Sequence, residues 1–231
     1  MNLNMLLQIP ETVPVNNVEE TANQSINLLD TAMKGGWIMI PLLLLSIVAI
    51  YIFFERLTVI RAASKYDKSF MDKIKDYIQE GKIDAALNLC RNNNTPCARM
   101  IEKGIQRLGR PMSDVSVAVE NVGNLEVSKL ETGLSYLATI SGGAPMIGFL
   151  GTVAGMIEAF FQMSNAGNNI DVSSLAGGIY TAMVTTVAGL FVGIVAYFGY
   201  NYLVMRVDKI MHNLEARNVE FLDMLNEPAA K

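Results

Sequence analysis

Residues 175–205 read LAGGIYTAMVTTVAGLFVGIVAYFGYNYLVM, about thirty residues without a charged side chain. A helix needs about 20 predominantly apolar residues to cross a bilayer. Two comparable apolar stretches precede this one, at residues 35–55 and 134–163. The sequence therefore predicts an all-α protein with three transmembrane helices, in which the few intramembrane polar groups matter most.

The composition agrees with a membrane protein. Hydrophobic residues make up 51% of the chain and charged residues only 17%, and most charges lie between the apolar stretches. The net charge of −4 is small and mixed in sign, which favours neither nucleic-acid binding nor electrostatic anchoring. We expect membrane lipid around the chain and no nucleic acid among its partners.

Basic residues are distributed unequally around the three predicted spans. Lys34 is the only basic residue in residues 1–34, and residues 164–174 contain no Lys or Arg. All other Lys and Arg residues lie in residues 56–133 and 206–231. The positive-inside rule therefore predicts that the N-terminal tail and the 164–174 loop lie outside. The same rule predicts that the central segment and the C-terminus lie in the cytoplasm.

The N-terminal tail resembles neither a signal peptide nor a folded domain. Residues Met1–Thr12 lack a positively charged n-region, which a secretory signal requires. Weak apolar spacing within residues 11–30 predicts a loosely ordered tail with one short amphipathic helix.

Residues 56–133 predict a helical cytoplasmic domain. Their apolar residues recur at helical spacing in two runs that asparagines and a proline separate. Ser113 and Asp114 can then cap a third helix, whose pattern continues into the span at residues 134–163. Residues 206–231 extend the last span as a helix and tail. We therefore predict that spans two and three have long extensions, which form a cytoplasmic helical bundle.

The sequence contains no enzyme signature and no metal-binding pattern. Cys90 and Cys97 match no zinc spacing, and the single histidine, His212, follows the last span. A GxxxxGK phosphate loop is also absent from the sequence. We predict no catalytic residue, no cofactor and no bound metal, so any work must draw on something other than ATP hydrolysis by this chain.

Small residues recur four apart in spans two and three, a spacing that lets membrane helices approach closely. The predicted packing residues are Gly148, Gly151, Gly155, Gly189 and Gly193. Pro145 lies beside this pattern and leaves a backbone carbonyl near Ser141 without its helical donor. That carbonyl could bind water or a partner residue.

Thr152 and Thr186 are predicted to lie at one depth, each roughly 5 Å to the outer side of midspan at 1.5 Å per residue. Two hydroxyls at one depth on adjacent antiparallel helices could hold a water or a proton-carrying carboxylate from a partner. In the alternative interpretation, each hydroxyl bonds only its own preceding carbonyl.

Glu158 is the only acid in the apolar part of span two. It lies about two turns outward of Thr152, near the outer interface, where a carboxylate reaches water at little cost. Interfacial solvation is the simpler interpretation, and a place where protons enter is the alternative.

Three segments together resemble the MotA/TolQ/ExbB proton-channel family, in its three-span ExbB/TolQ branch. They are Ala144–Ile157 (APMIGFLGTVAGMI), Gly177–Phe191 (GGIYTAMVTTVAGLF) and Glu55–Leu57 at the end of span one. The resemblance covers about residues 35–210. It implies a pentamer in a bacterial inner membrane, with a periplasmic N-terminus and a cytoplasmic C-terminus. It also implies a pore that holds the single membrane helices of ExbD- or TolR-type partners.

In that family, protons pass the partner's aspartate near pore threonines, and the resulting motion reaches the outer membrane through a TonB- or TolA-type protein. The family's two pore threonines fall on Thr152 and Thr186. Many ExbB and TolQ chains have a glutamate five residues before the second threonine, where this chain has Thr181. Thr181 and Thr185 lie on one helical face and are expected to keep the path polar.

The resemblance thus implies a proton-conducting, ExbB-like subunit that uses the proton motive force to drive outer-membrane uptake. Two alternatives stay open at this point. One is a TolQ-like subunit of the Tol-Pal envelope system, and the other is a structural membrane scaffold without ion flux.

Overall fold

A computed structural model describes residues 35–65, 69–165 and 172–226, and within these ranges it contains helices and no strand. The helices are α1 (Met39–Ala63), α2 (Ser69–Gln79), α3 (Ile83–Asn92), α4 (Pro96–Ile105), α5 (Met112–Glu131), α6 (Leu134–Asn165) and α7 (Val172–Asn226). Three helical stretches are long and apolar enough to cross a membrane: α1, α5 with α6, and α7. The predicted all-α class with three spans is confirmed.

Several predicted segments fall wholly or partly outside the described residues. The N-terminal tail at residues 1–34, with its predicted amphipathic helix, and residues 227–231 of the C-terminal tail lie outside them. For the predicted loop at residues 164–174, the described parts are helical, since α6 continues to Asn165 and α7 begins at Val172.

Helix α7 joins the membrane to the helical domain, which consists of α2–α5 and the C-terminal part of α7. Its 55 residues measure roughly 80 Å at 1.5 Å per residue. The part beyond the span buries apolar side chains at heptad-like spacing, namely Leu203, Val207, Ile210, Leu214 and Phe221. The predicted helical extension of span three is therefore present, and burial of this stripe holds it in the domain.

The extension of span two is interrupted, contrary to the continuous helix predicted. Residues 132 and 133 separate α5 from α6, and Gly133 adopts a φ of 90°. Glycine tolerates this left-handed region because it has no Cβ. A Cβ at Gly133 would also lie 3.1 Å from Nε of Arg56. The apolar pattern crosses this break without a change of period, which is why it suggested a single helix.

Two smaller boundaries also differ from the sequence pattern. The first apolar run forms two helices rather than one, because Gly81, with a φ of 72°, lies in the turn between α2 and α3. Pro111, not Ser113, is the N-cap residue of α5. The carbonyl oxygen of Pro111 accepts hydrogen bonds from the amides of Asp114 and Val115, so the helix begins two residues earlier than a cap at Ser113 would allow.

The start of α4 follows from its local sequence. Thr95 occupies the N-cap, where its hydroxyl oxygen accepts the amide of Ala98 at 3.3 Å. Pro96 follows in the first turn, where its missing N–H leaves no hydrogen bond unmade. Helix α4 then buries Met100 and Ile101 against the rest of the domain.

A buried carboxylate ties α4 to α5. Glu126 is 3% exposed and accepts hydrogen bonds from Nη2 of Arg99 at 2.5 Å and from Nζ of Lys129 at 2.7 Å. Burial by itself raises the pKa of the Glu126 carboxyl, but the bonds and charges of the two cations outweigh it. The pKa therefore lies below its ordinary value, and the group stays ionised at neutral pH.

Candidate functional site

Glycines bring α6 and α7 into backbone contact. A Cβ at Gly148 would lie 2.9 Å from the carbonyl oxygen of Thr185 and 3.1 Å from Cα of Gly189. A Cβ at Gly189 would lie 2.6 Å from the carbonyl oxygen of Ala144. Because these neighbours are backbone atoms, any larger residue would force the helices apart. Close backbone approach gives van der Waals contact and Cα–H···O interactions that hold membrane helices together.

The other three packing glycines each face one residue of the opposite helix. Gly151 faces Thr185, Gly155 faces Ala182 and Gly193 faces Pro145. Gly178, which the sequence pattern did not single out, faces Ala159 and extends the contact toward the outer end. The contact joins two antiparallel helices of one chain along most of the predicted membrane thickness.

The carbonyl that Pro145 leaves without a helical donor is covered by α7. A Cβ at Gly193 would lie 2.9 Å from the carbonyl oxygen of Ser141. Gly193 therefore lies over the carbonyl that the sequence offered to water or a partner residue. A Cα–H group of Gly193 is the donor nearest in kind to the missing N–H.

Thr186 joins the two helices through a hydrogen bond. Its hydroxyl donates to the carbonyl oxygen of Gly148 at 3.0 Å, and its side chain is only partly buried. The neighbouring Thr185 is 2% exposed and donates to the carbonyl of Ala182 at 2.7 Å, with the Gly148 oxygen at 3.4 Å. Thr185 thus lies inside the helix pair, not on a surface that could line a pore.

Thr152 lies close to the level of Thr186. Gly148 contacts Thr186 and Gly151 faces Thr185, so Thr152 is within about one helical turn, roughly 5 Å, of that level. Its hydroxyl donates to the carbonyl of Phe149 at 2.6 Å, the local bond of the alternative interpretation. The side chain is partly buried, which leaves the oxygen within reach of a group outside the helix pair.

The remaining two predicted residues lie further outward. Thr181 is partly buried on α7, one turn before Thr185. Glu158 is exposed on α6, and its Oε1 accepts a hydrogen bond from Nε2 of Gln162 at 2.9 Å. This bond stays within one helix, so Glu158 is not joined to the Thr152–Thr186 level.

The hydrogen bonds decide what the site can bind in this conformation. Thr152 and Thr186 each give their proton to a backbone carbonyl, so each oxygen offers lone pairs only. A bound group must then be a donor, such as water, hydronium or a protonated carboxylic acid. Residues 175–205 contain no acid, and span two contains only Glu158. An acid at the threonine level must therefore come from another chain.

Sequence reasoning missed the carbonyl of Gly148 as the acceptor between the helices. Every residue has a backbone carbonyl, so residue type does not show which carbonyl accepts a hydrogen bond. The available signal was a glycine in one span and adjacent threonines in the other. Sequence reasoning also missed Arg56. Its guanidinium lies beside Gly133 and donates two hydrogen bonds to the Glu55 carboxylate, at 3.1 and 2.8 Å.

Comparison with known proteins places the chain among membrane transport proteins. Residues 92–216, more than half of the chain, match the model of the MotA/TolQ/ExbB proton channel family. A biopolymer transport protein ExbB homolog of Methanothermobacter thermautotrophicus is 29% identical over 189 residues, 81% of this chain and 67% of that protein. The biopolymer transport protein ExbB-like 1 of Synechocystis is 30% identical, covering 78% of this chain and 72% of the relative. The Tol-Pal system protein TolQ of Haemophilus influenzae is 27% identical over 88% of this chain and 96% of that protein.

Proposed function

Because the chain belongs to the MotA/TolQ/ExbB proton channel family, we propose that it is the proton-conducting subunit of an energy-transducing complex in a bacterial inner membrane. The observation that carries this proposal is the hydroxyl of Thr186, bonded to Gly148 across a glycine-packed helix pair, with Thr152 near its level. This arrangement places polar oxygens deep in an otherwise apolar span. The chain acts as a channel subunit and not as an enzyme.

The proposed assembly is a pentamer around a pore that receives the single membrane helices of two ExbD- or TolR-type partners. The reason is chemical: the helix pair has hydroxyls near midspan but no acid there, so a partner carboxyl has to complete the proton path. A third protein, of the TonB or TolA type, would carry the resulting motion to the outer membrane.

In the proposed mechanism, Thr152 and Thr186 hold the partner's acid in its protonated form. An ionised carboxylate in a dry site is costly, and in the observed conformation neither hydroxyl has a free proton to give it. Release of the proton requires the Thr186 hydroxyl to turn from the Gly148 carbonyl toward the carboxylate. Each proton that crosses a 100 mV potential supplies about 2.3 kcal/mol for movement of the helices.

Thr181 and Glu158 have smaller roles in this proposal. Thr181 keeps the outer part of the path polar without a fixed charge, and Glu158 provides a solvated carboxylate where protons enter from the periplasm. Thr185 instead stabilises the helix pair, because its hydroxyl is buried between α6 and α7. The N-terminus is periplasmic, and the helical domain with the C-terminus is cytoplasmic.

The ExbB-like role, in which the complex powers outer-membrane uptake, is our first proposal because two relatives carry that name. A TolQ-like role in a Tol-Pal envelope system is the second candidate. It is favoured by one observation, the match to Haemophilus influenzae TolQ over 96% of that protein.

The test is proton flux into liposomes that contain the purified complex with its single-span partner, under an imposed potential. We expect Thr186→Val to abolish flux without dissociating the complex, because it keeps the shape and removes the hydroxyl. Thr152→Val should act likewise, and Thr186→Ser should keep partial flux. Thr58→Val is a matched control, since the Thr58 hydroxyl makes a similar local bond on α1, at 2.7 Å to the Glu55 carbonyl.

Two results would contradict the proposal. Strong flux from this chain without a partner would show that no external acid is needed. Wild-type flux in a Thr152→Val, Thr186→Val double variant would show that the hydroxyls are not on the path. An assembled complex that never conducts would instead favour the scaffold alternative.

A further inference from the structure

An apolar groove of about 470 Å³ runs between α1 and α7. Phe53 of α1 and the α7 residues from Phe191 to Tyr202 line it, and Phe191 is 70% exposed. From Phe191 to Tyr202 the helix rises roughly 16 Å, about half of the 30 Å hydrocarbon core. The groove is therefore as long as one leaflet, and it ends at the side of the helical domain.

A cluster of basic side chains, which we call the basic cluster, lies at that end of the groove. A second cavity of about 130 Å³ is lined by Arg61 at the end of α1, by Lys65 just after α1, and by Arg206 and Lys209 from α7. The guanidinium of Arg206 donates to the Tyr202 hydroxyl at 3.2 and 2.9 Å. Because Tyr202 also lines the groove, the two cavities adjoin.

The members of the basic cluster are not neutralised by ion pairs in the described part of the chain. None of the ion pairs between described residues includes any of the four. Among the acids near these cations in sequence, Glu55 is paired with Arg56 at 2.8 Å, Asp208 lines neither cavity, and Asp67 lies outside the described residues. Four cations beside an apolar groove at the membrane boundary are complementary to a ligand that has an anionic group and a hydrocarbon tail.

We propose that the groove and the basic cluster form a binding site for an anionic phospholipid from the leaflet next to the helical domain. The guanidinium groups of Arg61 and Arg206 can donate N–H groups to a phosphate. In Arg206 these come from the terminal Nη1–Nη2 edge, since Nε and Nη2 already donate to Tyr202. The ammonium groups of Lys65 and Lys209 add charge, and one acyl chain lies in the groove.

Charge distinguishes a lipid from the other occupant, a second copy of this chain. A neighbouring copy would have to bring several acids to the cytoplasmic end of its spans. There, Glu55 is already paired within its own chain, and the exposed Asp208 would bring one negative charge against four cations. An acyl chain also fills the groove between phenylalanine rings, which would otherwise lose van der Waals contacts.

The experiment measures lipid binding to the full chain, purified in detergent and stripped of lipid, by native mass spectrometry. The probes are dioleoyl phosphatidylglycerol, dioleoyl phosphatidylcholine and inorganic phosphate. We expect phosphatidylglycerol to bind at least tenfold more tightly than phosphatidylcholine. An Arg61→Gln, Arg206→Gln variant should weaken phosphatidylglycerol binding by about fivefold for each cation removed. A Lys73→Gln, Arg110→Gln variant removes equal charge from the helical domain and should bind normally.

A second pair of variants tests the groove itself. Val195→Trp places a large ring in the groove and should reduce phosphatidylglycerol binding at least fivefold. Val187→Trp is the matched control, because Val187 is exposed on the same helix and is not among the groove residues.

Three results would overturn the proposal. Equal binding of the two lipids would remove the charge argument, and full competition by inorganic phosphate would show a simple anion site without a tail. Disulfide formation between chains of a Val195→Cys variant, together with an absence of bound lipid, would show that a second copy covers the groove.

Discussion

The close contact of α6 and α7 makes a sharp prediction for Gly189→Ala. The new methyl group would lie 2.6 Å from the Ala144 carbonyl oxygen and 2.9 Å from Cα of Gly148. Restoring ordinary contact at 3.4 Å requires the backbones to separate by roughly 0.8 Å. Neither neighbour can move aside as a side chain can, so we expect the overpacking to cost about 1–3 kcal/mol.

This cost should appear in the thermal unfolding of the purified protein. A loss of that size lowers the unfolding midpoint by roughly 2–12 °C for a chain of this length. It would also stretch the bond from Thr186 to Gly148, now 3.0 Å, beyond hydrogen-bonding distance, so proton flux by the reconstituted complex should fall as well.

Gly177→Ala is the matched control for this substitution. It also adds one methyl group to α7, but no atom lies within 4 Å of the added Cβ. We expect unchanged or slightly raised stability, because alanine favours a helix more than glycine does by about 0.5–1 kcal/mol. Thermal unfolding is monitored by circular dichroism. Equal unfolding midpoints for the two variants would refute the inferred backbone contact.

Three further predictions use simpler measurements. A cysteine at Asn168 should react with an impermeant thiol reagent added outside intact cells and one at Lys103 should not; labelling at Lys103 would reverse the topology. Burial raises the pKa of Cys90 to about 12 and of Cys97 to about 11, from an ordinary 9.0. At pH 8, Cys97 should therefore react with maleimide about 100-fold more slowly, and Cys90 about 1000-fold more slowly, in the folded than in the denatured protein. Equal rates would place them at the surface. The pKa of Glu126 is lower in the folded protein than its ordinary value of about 4.5 in the unfolded chain. Ionised Glu126 therefore stabilises the fold fully above pH 4.5, and this stabilisation is lost as the pH falls through the folded-state pKa. Glu126→Gln should remove that pH dependence, and parallel unfolding profiles would contradict the assignment.

The spans and their contact were readable from the sequence because two strong signals specify them. Absence of charge over about thirty residues predicts a membrane helix, and the confirmed spans follow it. Glycines spaced four apart predict where helices meet, and all five chosen glycines lie in the α6–α7 pair.

The roles of adjacent threonines were not readable in the same way. Thr185 and Thr186 are about 100° apart on the helix surface, and both have small neighbours, so residue type does not show which one faces α6. The structure buries Thr185 and leaves Thr186 partly accessible. The break at Gly133 escaped notice for a related reason: one residue with positive φ changes the chain direction without changing the apolar period.

The α6–α7 contact and the break at Gly133 suggest which parts of the molecule move together. Helices α6 and α7 touch through backbone atoms, so we expect them to move together, and α7 continues unbroken into the helical domain. Helix α6 reaches the same domain only through the break at Gly133, on which Arg56 rests. We therefore expect a displacement at the Thr186 level to pass along α7 directly, while α5 pivots at Gly133. Since Arg56 belongs to α1, the expected pivot is where α1 contacts the junction of α5 and α6.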